Sequence, residues 1–272
     1  MLRVIQISDT HLAPGFAAFD ANFEAVADQI RKAAPDLVIH TGDITRDAPG
    51  APDELAYARQ CIDTLNSEVL CIPGNHDIGD NYGDHGYVPK QPVTEALTDA
   101  YRDHFGPDYW FEERGGWRFV GLNALLFASG TVSEKRQWEW MAEALGDHDR
   151  VALFLHKPLF LTPDHTPADP PYRYVPEGAR ARLTALIAQG GVRLVGCGHV
   201  HQTHAHRVGD TAFVWAPATA FILPDTMQPK IGDKVCGLVE YRLADDGGVA
   251  FEILRPSGIE DHDLTRLPVA YP

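Results

Sequence analysis

An α/β fold is predicted for this chain from three observations. Short apolar runs recur along it, each closing on polar, chemically loaded residues. Stretches with helical spacing lie between those runs. Beyond residue 205 the rhythm changes to strands and turns. Apolar runs this short, β-branched and weakly alternating suit strands buried on both faces, and strands alternating with helices define the α/β class.

Residues 3–7 (RVIQI) run into Ser8-Asp9-Thr10-His11, and residues 37–40 (LVIH) into Thr41-Gly42-Asp43. Residues 69–72 (VLCI) run into Pro73-Gly74-Asn75-His76-Asp77, and residues 117–122 (WRFVGL) into Asn123. Residues 151–155 (VALFL) precede His156, and residues 193–196 (RLVG) precede Cys197-Gly198-His199-Val200-His201. A helix is predicted over 20–34, where Phe23, Val26, Ala27 and Ile30 fall on one face. Residues 53–65 and 133–145 read similarly. Residues 176–189 start at Pro176 and end before Gly190-Gly191, the expected asymmetry of helix ends. Residues 211–216 form a further strand, and 236–243 and 248–254 flank a hairpin turn at 244–247. Two Gly- or Pro-rich stretches, 78–92 and 158–178, read as long loops, a common form of lid or binding segment.

The composition is globular, with 44% hydrophobic and 22% charged residues over 272 positions. No linker interrupts it, so a single domain over 1–255 with a tail over 256–272 is expected. The N-terminal MLRVIQISDTHL has no basic region followed by a long apolar run, and no segment has the length of a membrane span. The expectation is a cytoplasmic protein without a membrane partner. Cys61, Cys71, Cys197 and Cys236 make no CxxC pair, so free thiols are expected. The net charge of −15 would repel a long polyanion. It argues for a small substrate and against a nucleic acid polymer.

Asp9, His11, Asp43, Asn75, His76, His156, His199 and His201 all stand at strand ends. Carboxylate, imidazole and amide groups converging in this way are divalent-metal ligands. In open α/β sheets, ligands bind beyond the carboxyl ends of the strands. Side chains two apart on a strand share a face, so strand geometry would bring Asp9 to His11 and His199 to His201. Each fragment alone is commonplace: DxH as an exposed turn, GD as a strand-end turn, HVH as an alternating strand. All of them together, in order and each closing an apolar run, are not.

The series D-x-H, GD, GNHD, H, GHxH resembles the calcineurin-like metallophosphoesterase superfamily, and within it the bacterial class III cyclic-nucleotide phosphodiesterases and glycerophosphodiesterases. The resemblance implies two packed mixed β-sheets flanked by helices, a four-layer αββα sandwich. It implies two divalent cations drawn from Mn, Fe, Zn or Co. Asp9, His11 and His201 would hold one, Asn75, His156 and His199 the other, and Asp43 would bridge them. His76 would be the catalytic group beside the phosphate, and Asp77 would orient His76 or fix its turn. Cations about 3.5–4 Å apart would neutralise phosphate oxygens and supply a bridging hydroxide for in-line attack on a small phosphodiester. With both aspartates and that hydroxide counted, the centre retains a charge of about +1, which suits a singly charged diester better than a monoester. Relatives of this kind often form homo-oligomers, although the sequence itself marks no interface. Two rival readings are a phosphomonoesterase or pyrophosphatase, and a scaffold without turnover.

Three positions depart from family patterns. The block often written HHPP or HxP is His156-Lys157-Pro158 here. Arg46 stands where purple acid phosphatases carry a tyrosine, which argues against a tyrosine-ligated ferric site. The run from Gly42 to Asp47 lacks the GDxxDRG of protein phosphatases. In the long loops, His85, Tyr87, His165, Tyr172, Arg173 and Tyr174 are the residues suited to meet a nucleobase or a polar alcohol.

Overall fold

A computed structural model of the chain describes residues 1–83, 86–162 and 171–267. Two mixed sheets face each other. The first has five strands: β1 (Leu2–Ile7), β2 (Leu37–His40), β3 (Val69–Cys71), β10 (Leu238–Leu243) and β11 (Val249–Leu254), in the order β11-β10-β1-β2-β3. The second has six: β4 (Trp110–Arg114), β5 (Trp117–Leu122), β6 (Val151–Leu155), β7 (Val192–Cys197), β8 (His204–Val208) and β9 (Thr211–Trp215), in the order β4-β5-β6-β7-β9-β8. Pairing within β1-β2-β3 and within β5-β6-β7-β9 is parallel, so these strands deliver their C-terminal ends to one edge of the sandwich. The outer pairs are antiparallel.

Strand alternation divides the apolar residues between two cores. Val4, Leu37, Ile39, Phe119, Phe154, Leu194, Val214 and Tyr241 pack between the sheets. Their neighbours on the opposite faces, such as Ile5, Val38, Val120 and Leu153, join a core that includes helix residues. The helices are α1 (Ala17–Ala33), α2 (Asp53–Asp63), α3 (Asn75–Ile78), α4 (Glu95–Phe105), α5 (Val132–Ala144) and α6 (Glu177–Ile187). Phe23, Val26, Ala27 and Ile30 of α1 are buried with Ala58 and Ile62 of α2, and Met141 of α5 with Leu183 and Ile187 of α6. The four-layer αββα sandwich is thus the observed fold.

The predicted helices and strands are present to within a few residues. Besides the single-turn α3, three elements lacked a strong signal. β4 (WFEER) and β8 (HAHRV) are the edge strands of the six-stranded sheet, and their polar, half-buried sequences follow from that position. Helix α4 fully buries only Thr98 and Tyr101, with Leu97 and Phe105 packed half-buried beside them, and the Thr94 side chain caps its start by accepting from Leu97 N–H.

Residues 256–267 lie back against α1 and the segment of Phe221. The Asn22 side chain on α1 donates to Glu260 O (2.8 Å) and accepts from Glu260 N–H (2.9 Å), and Leu264 is buried with Phe19 and Phe221. Among the described residues no helix is long and apolar enough to cross a membrane.

Candidate metal centre

All the site residues named from the sequence converge at the edge where the parallel strands end. Asp9 and His11 follow β1, Asp43 follows β2, Asn75 and His76 open α3 after β3, His156 follows β6, and His199 and His201 follow β7. They do not converge by strand alternation. Asp9, His11, Asp43, His199 and His201 all have positive φ, between 45° and 71°. The chain has left the strands by then, and each side chain is aimed by a left-handed residue. Such conformations cost L-residues free energy and persist where the surroundings impose them, most often at functional sites.

The surroundings here are backbone ladders between loops. Asp9 N–H donates to Gly42 O, His11 N–H to Asp43 O and Leu12 N–H to Ile44 O, at 2.8–3.1 Å. Asp77 fastens the next loop to these: its carboxylate accepts from Ile44, Thr45 and Gly74 N–H and from the Thr45 hydroxyl. Burial and then the nearby Asp43 push that carboxyl up to about 6, against the pull of these donors. Asp77 therefore fixes the turn that carries His76. The His76 ring is tied elsewhere, with Nδ1 2.6 Å from Arg46 O. Two glycines permit the approach. A Cβ on Gly74 would strike the Asp43 backbone and carboxylate, and one on Gly198 would strike Ser8 Oγ and the Asp9 carboxylate.

Donor atoms gather in overlapping groups. Asp9, His11 and His201 offer ligand atoms within 4.8 Å of one another, so do Asp43, His156 and His199, and His11, Asp43 and His76 form a third group that joins them. His11 Nε2 lies 3.3 Å from His201 Nε2. His156 Nε2 lies 3.3 Å from Asn75 Oδ1 and 3.1 Å from His199 Nδ1. Asp43 Oδ2 sits between the groups, 3.9 Å from His11 Nε2 and 3.3 Å from His156 Nε2. The outward nitrogens are anchored: His156 Nδ1 to Thr41 O (2.7 Å), His201 Nδ1 to Phe221 O (2.9 Å) and His199 Nε2 to Tyr172 O (3.3 Å). An imidazole that donates outward to a carbonyl presents its other nitrogen inward as a lone pair, the usual arrangement of a metal-ligating histidine.

The electrostatics fit divalent cations. Burial, followed by positively charged neighbours, holds His11 and His199 well below the usual imidazole value, in their neutral, ligating form. Asp43 lies well below the carboxylate range: burial opposes ionisation, but His156 and His76 outweigh it. Burial drives His156 down, but Asp43, Asp9 and the Thr41 backbone together outweigh it and raise it to about 9. Protein charges alone thus put a proton on His156 to offset buried Asp43, at the point where a ligated cation would supply that charge. The donors are imidazole, carboxylate and amide, a set suited to Mn, Fe, Co or Zn rather than to the all-oxygen shells of Ca.

Sequence reasoning missed His40. It is fully buried at the end of β2, and burial lowers its pKa to about 3. Its Nδ1 accepts Gly42 N–H (3.2 Å), and its Nε2 meets Thr10 Oγ1 (2.9 Å), which donates on to Ile44 O. One neutral imidazole so joins the loop of Asp9 to the loop of Asp43. A histidine directly before Thr-Gly-Asp was the available signal. Gln6 was also missed. Between the sheets it accepts from Tyr241 OH and donates to Cys197 O and to the hydroxyl of Thr41, whose carbonyl anchors His156. Arg46 is held by Glu54 (3.2 Å) and lies over the Phe16 ring at 4.6 Å, so its charge is already matched.

A profile described as Calcineurin-like phosphoesterase matches residues 2–203. The chain is 28% identical over 232 residues to a Synechococcus protein named a probable cyclic nucleotide phosphodiesterase, covering 80% of this chain and 81% of that one. It is 27% identical over 222 residues to an Arcobacter nitrofigilis protein named a probable glycerophosphodiester phosphodiesterase, covering 73% and 71%. A Danio rerio structure titled a dimetal phosphatase shares the fold at a TM-score of 0.64 and 13% identity, over 93% of this chain and 95% of that one. The chain belongs to the calcineurin-like phosphoesterase family and is a metal-dependent phosphoester hydrolase.

Proposed function

We propose that this chain is a binuclear-metal phosphodiesterase that hydrolyses a small phosphodiester of the cyclic-nucleotide or glycerophosphodiester type. The observation that carries the reading is Asp43, one buried carboxylate reaching toward both donor groups. In this reading Asp9, His11 and His201 hold one cation, Asn75, His156 and His199 the other, and Asp43 is shared. Bound cations would neutralise phosphate oxygens and lower the pKa of water between them. The protein's part is placement. His76 lines the cleft over the centre, and its Nδ1 anchor leaves proton transfer to the leaving oxygen, or stabilisation of its charge, to Nε2. Carbonyl anchors keep His156, His199 and His201 in the ligating tautomer. The names of both curated relatives support a diester, as does the net charge of −15, which disfavours polyanions. Four free cysteines accord with a reducing, cytoplasmic setting.

The deciding experiment strips the protein with chelator, reloads it separately with Mn, Co, Zn or Fe(II), and compares bis(p-nitrophenyl) phosphate with p-nitrophenyl phosphate. Metal-restored turnover favouring the diester is expected. A preference for the monoester would replace this reading with a phosphatase, and two bound ions without turnover would replace it with a scaffold.

A further inference from the structure

Of the six loop residues suited to a nucleobase or polar alcohol, Tyr174 is buried near Trp215, with ring centroids 6.3 Å apart. His85 and His165 lie outside the described residues. Tyr87 and Tyr172, from different loops, meet: their ring centroids are 5.4 Å apart at an interplanar angle of 34°. Both rings line each of two cavities that share Asn75 and His76. One cavity, of about 340 Å³, reaches Phe221 and Leu223; the other, of about 540 Å³, reaches Val88 and Pro89. The tyrosine pair therefore stands where the two arms of the cleft divide, beside the proposed phosphate position.

The pair is held in place by the residue that departs from the family pattern. Lys157 is fully buried and points into the 78–92 loop, with Nζ 2.5 Å from Asp80 Oδ1 and 2.7 Å from Asn81 Oδ1. A buried ammonium is tolerable only with such partners. Asp80 Oδ2 in turn accepts from Tyr87 OH at 3.2 Å. Tyr172 closes the circuit through its carbonyl, which accepts from His199 Nε2. Tyr172 is 36% exposed, with the Arg173 guanidinium carbon 5.9 Å from its ring centroid. An exposed aromatic face with a fixed orientation stacks flat π-systems, and an alkyl or glycerol arm gains less from it.

We propose that Tyr87 and Tyr172 are specificity-determining residues of this site: an aromatic wall, oriented by buried Lys157 through Asp80, that selects phosphodiesters bearing a flat unsaturated ring on the ester arm that stays on phosphorus. The proposal rests on the phosphodiesterase reading. It is tested on the metal-reloaded protein with three diesters that share one leaving group: thymidine 5′-(p-nitrophenyl phosphate), phenyl p-nitrophenyl phosphate and ethyl p-nitrophenyl phosphate. In each, water adds to phosphorus and p-nitrophenolate departs. The wild type is expected to favour the ring-bearing arms over ethyl in kcat/KM by about tenfold, the scale of one stacking contact. The thymidine and phenyl arms tell a nucleobase from a simple aryl group. Tyr172→Ala and Tyr87→Ala should collapse that ratio through KM. Tyr87→Phe, which keeps the ring and loses only the bond to Asp80, should lower it about threefold. Lys157→Met should do the same, and Tyr87→Phe tests the same link if that variant fails to fold. A ratio near one in the wild type, or a ratio unchanged in both alanine variants, overturns the proposal while the diesterase reading stands. Hydrolysis of none of the three diesters overturns both.

Discussion

Single residues at this centre divide by what they touch, and their substitutions should separate accordingly. Asp43 faces both donor groups, so Asp43→Ala should cost both metals and nearly all turnover, which metal analysis after gel filtration would reveal. His76 lines the cleft with its ring anchored to Arg46 O. His76→Ala is expected to keep both metals and slow kcat by about 10²-fold or more, the scale of a positioned acid–base group; wild-type kcat in that variant would remove His76 from the chemistry. His40 belongs to none of the donor groups but joins the two aspartate loops. His40→Phe should retain the fold and weaken metal affinity about 10–100-fold, as loss of a supporting contact does, and a titration with Mn or Co would measure it. The converging donor groups were legible because each member closes an apolar run. His40 was not, because a histidine inside such a run looks like any other strand-end residue until its hydrogen bonds are seen.

At the scale of elements, the loops after β1, β2, β3 and β7 behave as one woven unit. The left-handed residues in it carry side chains that strand periodicity aims wrongly, and this is why a two-residue repeat picked out histidines that do converge, but for an inexact reason. Non-local ladders fix φ at Asp9 and His11, and no window of sequence contains them. The edge strands β4 and β8 escaped notice for a related cause: half of each strand's environment is solvent, so its composition imitates a loop. Close packing in this unit leaves no space at Gly198. Gly198→Ala should destabilise the protein by about 1–3 kcal/mol, as overpacking does, and weaken the Asp9 group. Thermal melts with and without metal would report both effects.

For the molecule as a whole, acid stability should depend in part on a residue far from the centre. His206 on β8 stacks on Phe213 at 5.0 Å and 2°, and neither ring nitrogen has a hydrogen-bond partner among the described residues. Burial, with His204, lowers its pKa to about 4. The unfolded chain binds a proton at this residue near pH 6.5 and the folded chain only near 4. Stability is therefore whole above pH 6.5 and falls as pH drops toward 4. Since the ring is partly exposed, the effect is modest. His206→Gln should flatten that stretch of a urea-midpoint-versus-pH curve, and an unaltered slope would exclude His206 as its source.

Each proposed cation takes ligands from both sheets: Asp9 and His11 with His201, and Asp43 and Asn75 with His156 and His199. The five-stranded sheet is itself complete only when Leu2 pairs with Leu243. The centre is therefore a clasp across a seam, and it cannot exist on either half alone. Refolding should make this visible in time. Trp117 is buried in the seam, so its change in fluorescence and the first uptake of metal should share one rate, and turnover should never run ahead of them.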